Sequence, residues 1–306
     1  MSEIMDDTSI DVKRASPSLP SGASGMLARA LVEASEVAGK ALKVEDSVVA
    51  VHELRKSFKR LRGLLRLVRG RQIQPARELR RTLADAARQL SGARDQAAQR
   101  EAMDDLVAKA GVAPAVCKAA IRALAPAEQA DDDDALARNR PYLVSLIEDC
   151  LEASPHLAGS MGPKALLAAL GEDYEKARSG GQEVDVDDAE GLHELRKAVV
   201  NHRYQMELFT PFWPAQGKLW ESELQRLREK LGRHHDLAVL IAQLDGDPPT
   251  TVADRKWHTP LHEAAHARQR RLAMSAMRLH ARLFAERPKA FRRRIGAYMN
   301  PMSDGE

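Results

Sequence analysis

The chain has 306 residues, of which 44% are apolar, 30% are charged and only 4% are aromatic. This composition is typical of a globular protein with a sizeable core, and the abundant Ala, Leu and Arg favour helices over a β-sandwich or barrel. No apolar run approaches the roughly 18 residues that a membrane span needs. The two cysteines, Cys117 and Cys150, are too few for a cysteine-based zinc cluster and do not indicate an oxidising compartment.

The small net charge of +3 conceals a strong segregation of charge along the chain. Residues 51–100 contain 14 Lys and Arg against 4 Asp and Glu, whereas residues 101–160 contain 5 against 11. Separated blocks of this kind indicate a basic surface that binds a polyanion, although ordinary solvated helix faces would give the same pattern.

The first segment of the chain has no periodic pattern. Residues 1–23 begin with acidic residues, contain Ser, Pro and Gly and include no apolar stretch. We expect a disordered tail there, no signal peptide and a cytoplasmic location.

From Met26 onward the apolar residues recur at steps of three and four, as in Leu54, Phe58 and Leu61, which predicts helices almost throughout. Helix breaks are predicted where Gly, Pro or Ser interrupt this pattern. They fall at Gly70, Ser91–Gly92, Gly111–Pro114, Ser154–Pro155, Gly159–Pro163, Gly180–Gly181, Pro211–Pro214, Gly246–Pro249 and Pro288.

The sequence also contains a repeat. The segment His-Glu-Leu-Arg-Lys occurs at His52 and again at His193, 141 residues later, and at that same offset Arg62 matches Arg203. The repeat predicts two copies of one helical unit, at about 24–155 and 163–300, each with about four main helices. A pseudo-twofold axis would relate the two copies.

One predicted helix carries a stripe of cations. His52, Arg55, Lys59, Arg62, Arg66 and Arg69 follow one another at steps of three and four, so they share one face. Like charges stacked in this way repel by a few tenths of a kcal/mol per pair, and the stripe therefore requires counter-charge. The second copy repeats the stripe as His193, Arg196 and Arg203, with Val200 in place of Lys59 and Glu207 in place of Arg66; Lys56 and Lys197 flank the stripes equivalently.

A linear row of cations suits a linear polyanion. Arginine offers forked donors to phosphate oxygens, lysine a mobile point charge, and protonated histidine two donors. Two stripes brought together by a pseudo-twofold axis would form one basic groove or pore. The competing interpretation is that His52 and His193 are core histidines and that the cations are ordinary surface.

These residues resemble the CHAD family, whose pattern His-x-x-Arg-x-x-x-Lys/Arg-x-x-Arg occurs twice. The run from His52 to Arg62 fits the pattern fully, and His193, Arg196 and Arg203 fit it apart from Val200. The later segments around Arg94 and His235 resemble the turn between helices in each half of the family fold. The resemblance covers about 24–300, which we take as a single CHAD domain.

The resemblance implies an all-α fold of two pseudo-twofold-related four-helix bundles with a basic central channel. It also implies binding of inorganic polyphosphate without catalysis, and in many members recruitment to polyphosphate granules and their proteins. We assign no catalytic residue, metal site or cofactor. The expected polyphosphate-binding residues are His52, Arg55, Lys56, Lys59, Arg62, Arg66, Arg94, His193, Arg196, Lys197, Arg203 and His235.

Two other functions compete with polyphosphate binding. Nucleic acid also attracts basic stripes, but few aromatic residues lie among these cations to stack on bases. His262, Glu263 and His266 form a His-Glu-x-x-His motif, which in a helix can hold zinc for hydrolysis. That motif lacks a visible third ligand, and the following residues are basic.

Overall fold

The computed structural model describes residues 22–90, 94–124, 132–159, 161–246 and 248–300, except for the side chains of 94–97, 132–134 and 253. Nearly all of the predicted tail and the predicted break at Ser91–Gly92 lie outside these ranges. The described residues form eleven α-helices and no strand, which confirms the all-α prediction. Among them, no helix combines the length and the apolar character that crossing a bilayer requires.

The helices follow one another with short connections. Two single-turn 3-10 helices, Gly70–Gln72 and Thr210–Phe212, precede α3 and α9. The α-helices are α1 (Gly22–Ala41), α2 (Ser47–Leu65), α3 (Ile73–Gln89), α4 (Arg94–Ala110), α5 (Pro114–Ala123), α6 (Asp132–Ala158), α7 (Pro163–Glu183), α8 (Ala189–Met206), α9 (Pro214–Gly246), α10 (Val252–Leu283) and α11 (Pro288–Met299).

The two helices that carry the repeated motif begin in the same way. The side chain of Asp46 accepts a hydrogen bond from the amide of Val49 at 3.0 Å and caps α2. Asp188 caps α8 by accepting from the amide of Gly191 at 2.9 Å. An aspartate at this position accepts a hydrogen bond from one of the free amides of the first turn. Its negative charge also interacts favourably with the positive end of the helix dipole.

Two of the predicted helix breaks are wrong. Helix α7 continues through Gly180–Gly181 to Glu183, and α6 continues through Ser154–Pro155 to Ala158. Gly181 allows close packing, because a Cβ there would lie 2.2 Å from the Cε1 of His280 on α10. Pro155 lies in the last turn of α6, where its missing amide removes only one helical hydrogen bond.

Among the described residues, each predicted half has more helices than the about four main ones expected, with α1–α6 before residue 160 and α7–α11 after it. The buried side chains form two clusters, and each cluster draws on both halves. The larger joins α1, α2, α3 and α6 to α7, α8 and α11. The smaller unites α4 and α5 with the end of α9 and the start of α10, through residues such as Leu106 and Leu240. The described parts of the two halves therefore share both hydrophobic clusters.

Candidate functional site

The two motif helices pack directly against each other near their C-terminal ends. The side-chain amide of Gln205 on α8 donates to the backbone carbonyl of Gly63 on α2 at 3.0 Å, and this contact is buried. Nearby, Arg60 of α2 forms an ion pair with Glu207 of α8 at 3.1 Å. The structure thus brings the C-terminal ends of the two predicted stripes into one region.

In the first motif, the histidine and the arginine have different surroundings. His52 is exposed on α2. The Nη1 atom of Arg55 donates to the backbone carbonyls of Ala87 and Leu90, at 3.0 and 2.9 Å, at the end of α3. Carbonyls in the last turn of a helix lack helical partners, so Arg55 caps α3 and fixes it against α2.

In the second motif, two histidines predicted from separate segments are in contact. The rings of His193 on α8 and His235 on α9 stack with centroids 4.0 Å apart. Burial lowers the pKa of His193, and the neighbouring Lys197 and Arg196 lower it further. Its Nδ1 atom is buried and has no hydrogen-bond partner in the part of the chain that the structure describes. An anion beside this pair would favour the protonated imidazole and supply the absent acceptor.

Arg196 lies against Gly232 of α9, which precedes His235 by three residues. A Cβ at Gly232 would lie 3.6 Å from the Nε of Arg196, which is ordinary van der Waals contact, so the guanidinium packs closely on this part of α9. Lys56 and Lys197 occupy equivalent exposed positions, and each pairs with a glutamate one turn earlier on its own helix, Glu53 and Glu194. Such exposed pairs contribute little to stability and can be displaced by a stronger anion.

Arg66 forms a bidentate ion pair with a carboxylate of α7. Its guanidinium donates two hydrogen bonds to the carboxylate of Asp173 on α7, at 2.8 and 2.7 Å, and Gln205 donates to the same carboxylate at 2.5 Å. Burial acts to raise the pKa of Asp173, but the hydrogen bonds and charge of Arg66, together with Gln205 and His202, hold this pKa below its ordinary value. Phosphate would have to compete with this carboxylate for Arg66.

Arg62 is surrounded by other cations. Burial lowers the pKa of Arg62, and Arg88 and Arg66 lower it further, against a smaller opposing effect of Asp85. Arg80 of α3 lies in the same region. Burial is the largest effect that lowers the pKa of Arg80, and the charge of Arg66 is the second largest. The stripes predicted from the sequence did not include the arginines of α3, although Arg77, Arg80 and Arg88 lie about one and two helical turns apart.

At the end of the second stripe, a carboxylate already balances the positive charge. Arg203 pairs with Glu207 on α8 at 3.3 Å, and that carboxylate also contacts Arg60. Lys59 and Val200 are partly buried at corresponding positions of α2 and α8. Arg94 begins α4, but its side chain lies outside the described residues.

The first histidine of the His-Glu-x-x-His motif, His262, and the preceding His258 contact the end of α9. His262 Nε2 lies 2.8 Å from an oxygen of Asp245, and His258 Nε2 lies 3.0 Å from the carbonyl of Leu244. The ring of His266 meets that of His262 edge-on, with centroids 4.5 Å apart. In the described ranges, no group of three or more His, Cys, Asp or Glu is placed to hold a metal ion. Of the two motif histidines, His262 thus interacts with a polar group at the end of α9, as does the neighbouring His258.

The described residues thus form an all-helical protein in which two His-x-x-Arg helices pack together. The family model of the CHAD domain matches residues 26–245, which is well over half of the chain. The chain therefore belongs to the CHAD domain family. The match ends before α10 and α11, so the predicted C-terminal limit at residue 300 stays a prediction. No curated protein and no solved structure matches the chain.

Proposed function

We propose that this protein binds inorganic polyphosphate without catalysing a reaction on it. The observation that carries the proposal is the cationic face of α2 in a CHAD chain, where Arg62 is partly exposed beside Arg66 and Arg88. Arginines held this close repel one another, and a ligand with many closely spaced phosphates would supply the counter-charge. Polyphosphate is such a ligand, and its binding is in keeping with the family.

The proposal includes a duplicated fold around a basic central groove. Two observations support it: α1 and α7 begin 141 residues apart, as do α3 and α9, and α2 packs on α8 where the stripes end. In this arrangement His193, His235 and Arg196 form the second half of the groove. Recruitment to polyphosphate granules in the cytoplasm would follow from the same binding.

Arg62→Glu should weaken the binding of long-chain polyphosphate at least tenfold at physiological salt. The substitution replaces forked donors with a like charge facing the phosphates. The fold should be retained, because the new carboxylate relieves repulsion from Arg88 and Arg66. Fluorescence anisotropy of labelled polyphosphate measures the affinity, and thermal unfolding checks the fold. Arg55 is a poorer probe, since its substitution would also remove the cap of α3.

The matched control is Arg29→Glu, which makes the same change of charge at an exposed position of α1. We expect this variant to bind within about twofold of the unaltered protein, because long-range charge effects are screened within about 8 Å at physiological salt. Equal losses at Arg62 and Arg29 would show that only the overall charge matters, and the proposed groove would be wrong.

A further inference from the structure

The surface between α2 and α3 carries more arginine than the family motif accounts for. We call it the α2–α3 arginine surface. Arg77 and Arg88 are exposed and the other members are partly exposed, and Arg55 fixes the two helices together through the end of α3. The members of this surface are Arg62 from α2, Arg66 at the C-cap of α2, and Arg77, Arg80 and Arg88 from α3.

The acids on this surface do not balance its cations. Asp85 pairs with Arg88, and Asp173 pairs with Arg66. Within the described ranges, no carboxylate forms an ion pair with the other three arginines of the surface. Burial lowers the pKa of Arg80, and Arg66, Arg77 and Arg62 each lower it further, whereas Asp173 acts in the opposite direction. The arginines are therefore close enough to repel one another.

The corresponding surface of α8 and α9 has a different charge. The positions 141 residues later hold two cations and three glutamates in place of five arginines. Arg203 is paired with Glu207, Glu221 accepts a hydrogen bond from Thr210, and Glu229 accepts one from Gln225 at 2.8 Å. A polyanion approaching this side would be repelled by these carboxylates. In order, the five positions are Arg203, Glu207, Lys218, Glu221 and Glu229.

We propose that the phosphate chain binds mainly to one side of the protein. From the motif stripe of α2 it continues across α3, where it contacts Arg77, Arg80 and Arg88. This inference rests on the proposed function and adds to it three binding residues outside the family motif. Arg77 and Arg80 are about 5–6 Å apart on α3 and Arg88 lies about two turns further along, so each one can contact a different part of a phosphate chain. The five corresponding positions from Arg203 to Glu229 take no part, because their glutamates neutralise their cations. His193, Arg196 and His235 of the proposed groove are not among these five positions.

The test compares Arg80→Glu with Arg226→Glu, which makes the same change of charge at an exposed position of α9. Arg80→Glu should weaken the binding of long-chain polyphosphate at least tenfold. The affinity of Arg226→Glu should stay within about twofold of that of the unaltered protein. In Arg80→Gln, the slope of log affinity against log salt should become shallower by about one, as expected for the loss of one phosphate contact. The repulsion around Arg80 means that neither change at this position should unfold the protein, and thermal unfolding checks this.

A third variant probes the compensated side. Glu221→Arg places on α9 the residue type that Arg80 supplies on α3, and it should leave the affinity unchanged or raise it. Equal losses in Arg80→Glu and Arg226→Glu, or no loss in Arg80→Glu, would overturn the one-sided path. If Arg62→Glu weakens binding while Arg80→Glu does not, only the extension onto α3 is wrong. If the unaltered protein does not bind polyphosphate, the proposed function fails together with this inference.

Discussion

Asp173→Ala should lower the free energy of unfolding by about 2–4 kcal/mol. Asp173 is 7% exposed and accepts hydrogen bonds from Arg66 and Gln205, which belong to α2 and α8. Removing the carboxylate leaves the guanidinium of Arg66 in a largely buried position without this counter-charge, and it also removes the acceptor of Gln205. Urea denaturation measures the change.

The neighbouring residue provides a matched control. Glu172 also pairs with an arginine from the end of the first stripe, Arg69, at 2.6 Å, but the glutamate side chain is 63% exposed. Exposed ion pairs contribute about 0–1 kcal/mol, so Glu172→Ala should change stability little. Similar losses in the two variants would contradict the account. Polyphosphate affinity should not fall in Asp173→Ala, because the substitution removes a competing anion from beside Arg66.

His202→Leu should remove an acid-sensitive element from the core. His202 is fully buried among Tyr174, Phe284 and Phe291, and neither ring nitrogen has a hydrogen-bond partner among the described residues. Burial lowers its pKa to about 4, despite an opposing effect of Asp173. The folded state thus excludes a proton that the unfolded state takes up below the ordinary pKa of about 6.5.

The direction of the pH dependence follows from this difference. The contribution of neutral His202 is complete above pH 6.5 and is lost as the pH falls towards 4, because the unfolded state then binds more protons. Between pH 7 and pH 4.5 the loss amounts to about 2–3 kcal/mol. His202→Leu should remove this part of the acid dependence and stabilise the protein at pH 7, since two unsatisfied polar atoms leave the core.

Urea denaturation at several pH values between 4.5 and 7 measures this effect. The position 141 residues earlier is Leu61, which is 1% exposed in the same core, so a leucine suits this kind of environment. His266→Gln, at an exposed position of α10, is the control and should keep the acid dependence of the unaltered protein. The assignment to His202 is wrong if His202→Leu loses stability in acid as steeply as the unaltered chain.

The helical periodicity and the repeated motif predicted the all-α class and the family. Local spacing was sufficient for this purpose, because both depend on residues within a few turns of one another. The breaks at Gly180–Gly181 and Ser154–Pro155 were wrong for the opposite reason. Whether a glycine ends a helix depends on what packs on it, and His280 lies 99 residues away from Gly181 in the chain.

The charges of the site show the same limit. The spacing of the first stripe identified Arg62 and Arg66 as neighbours, but it gave no sign that Asp173, 107 residues away, pairs with Arg66. It likewise did not reveal that Arg80 of α3 joins the cationic face of α2. Both facts depend on how helices distant in sequence pack together, and a single sequence carries no local signal for that.

A competition titration tests the proposal of polyphosphate binding most directly. Labelled long-chain polyphosphate is bound to the purified protein at physiological salt and then challenged with orthophosphate, double-stranded DNA and single-stranded RNA. We expect polyphosphate to remain bound against a mass excess of either nucleic acid, because its phosphates are spaced more closely along the chain. Ready displacement by DNA or RNA would contradict the account and show a general polyanion-binding or nucleic-acid-binding protein built on the CHAD fold.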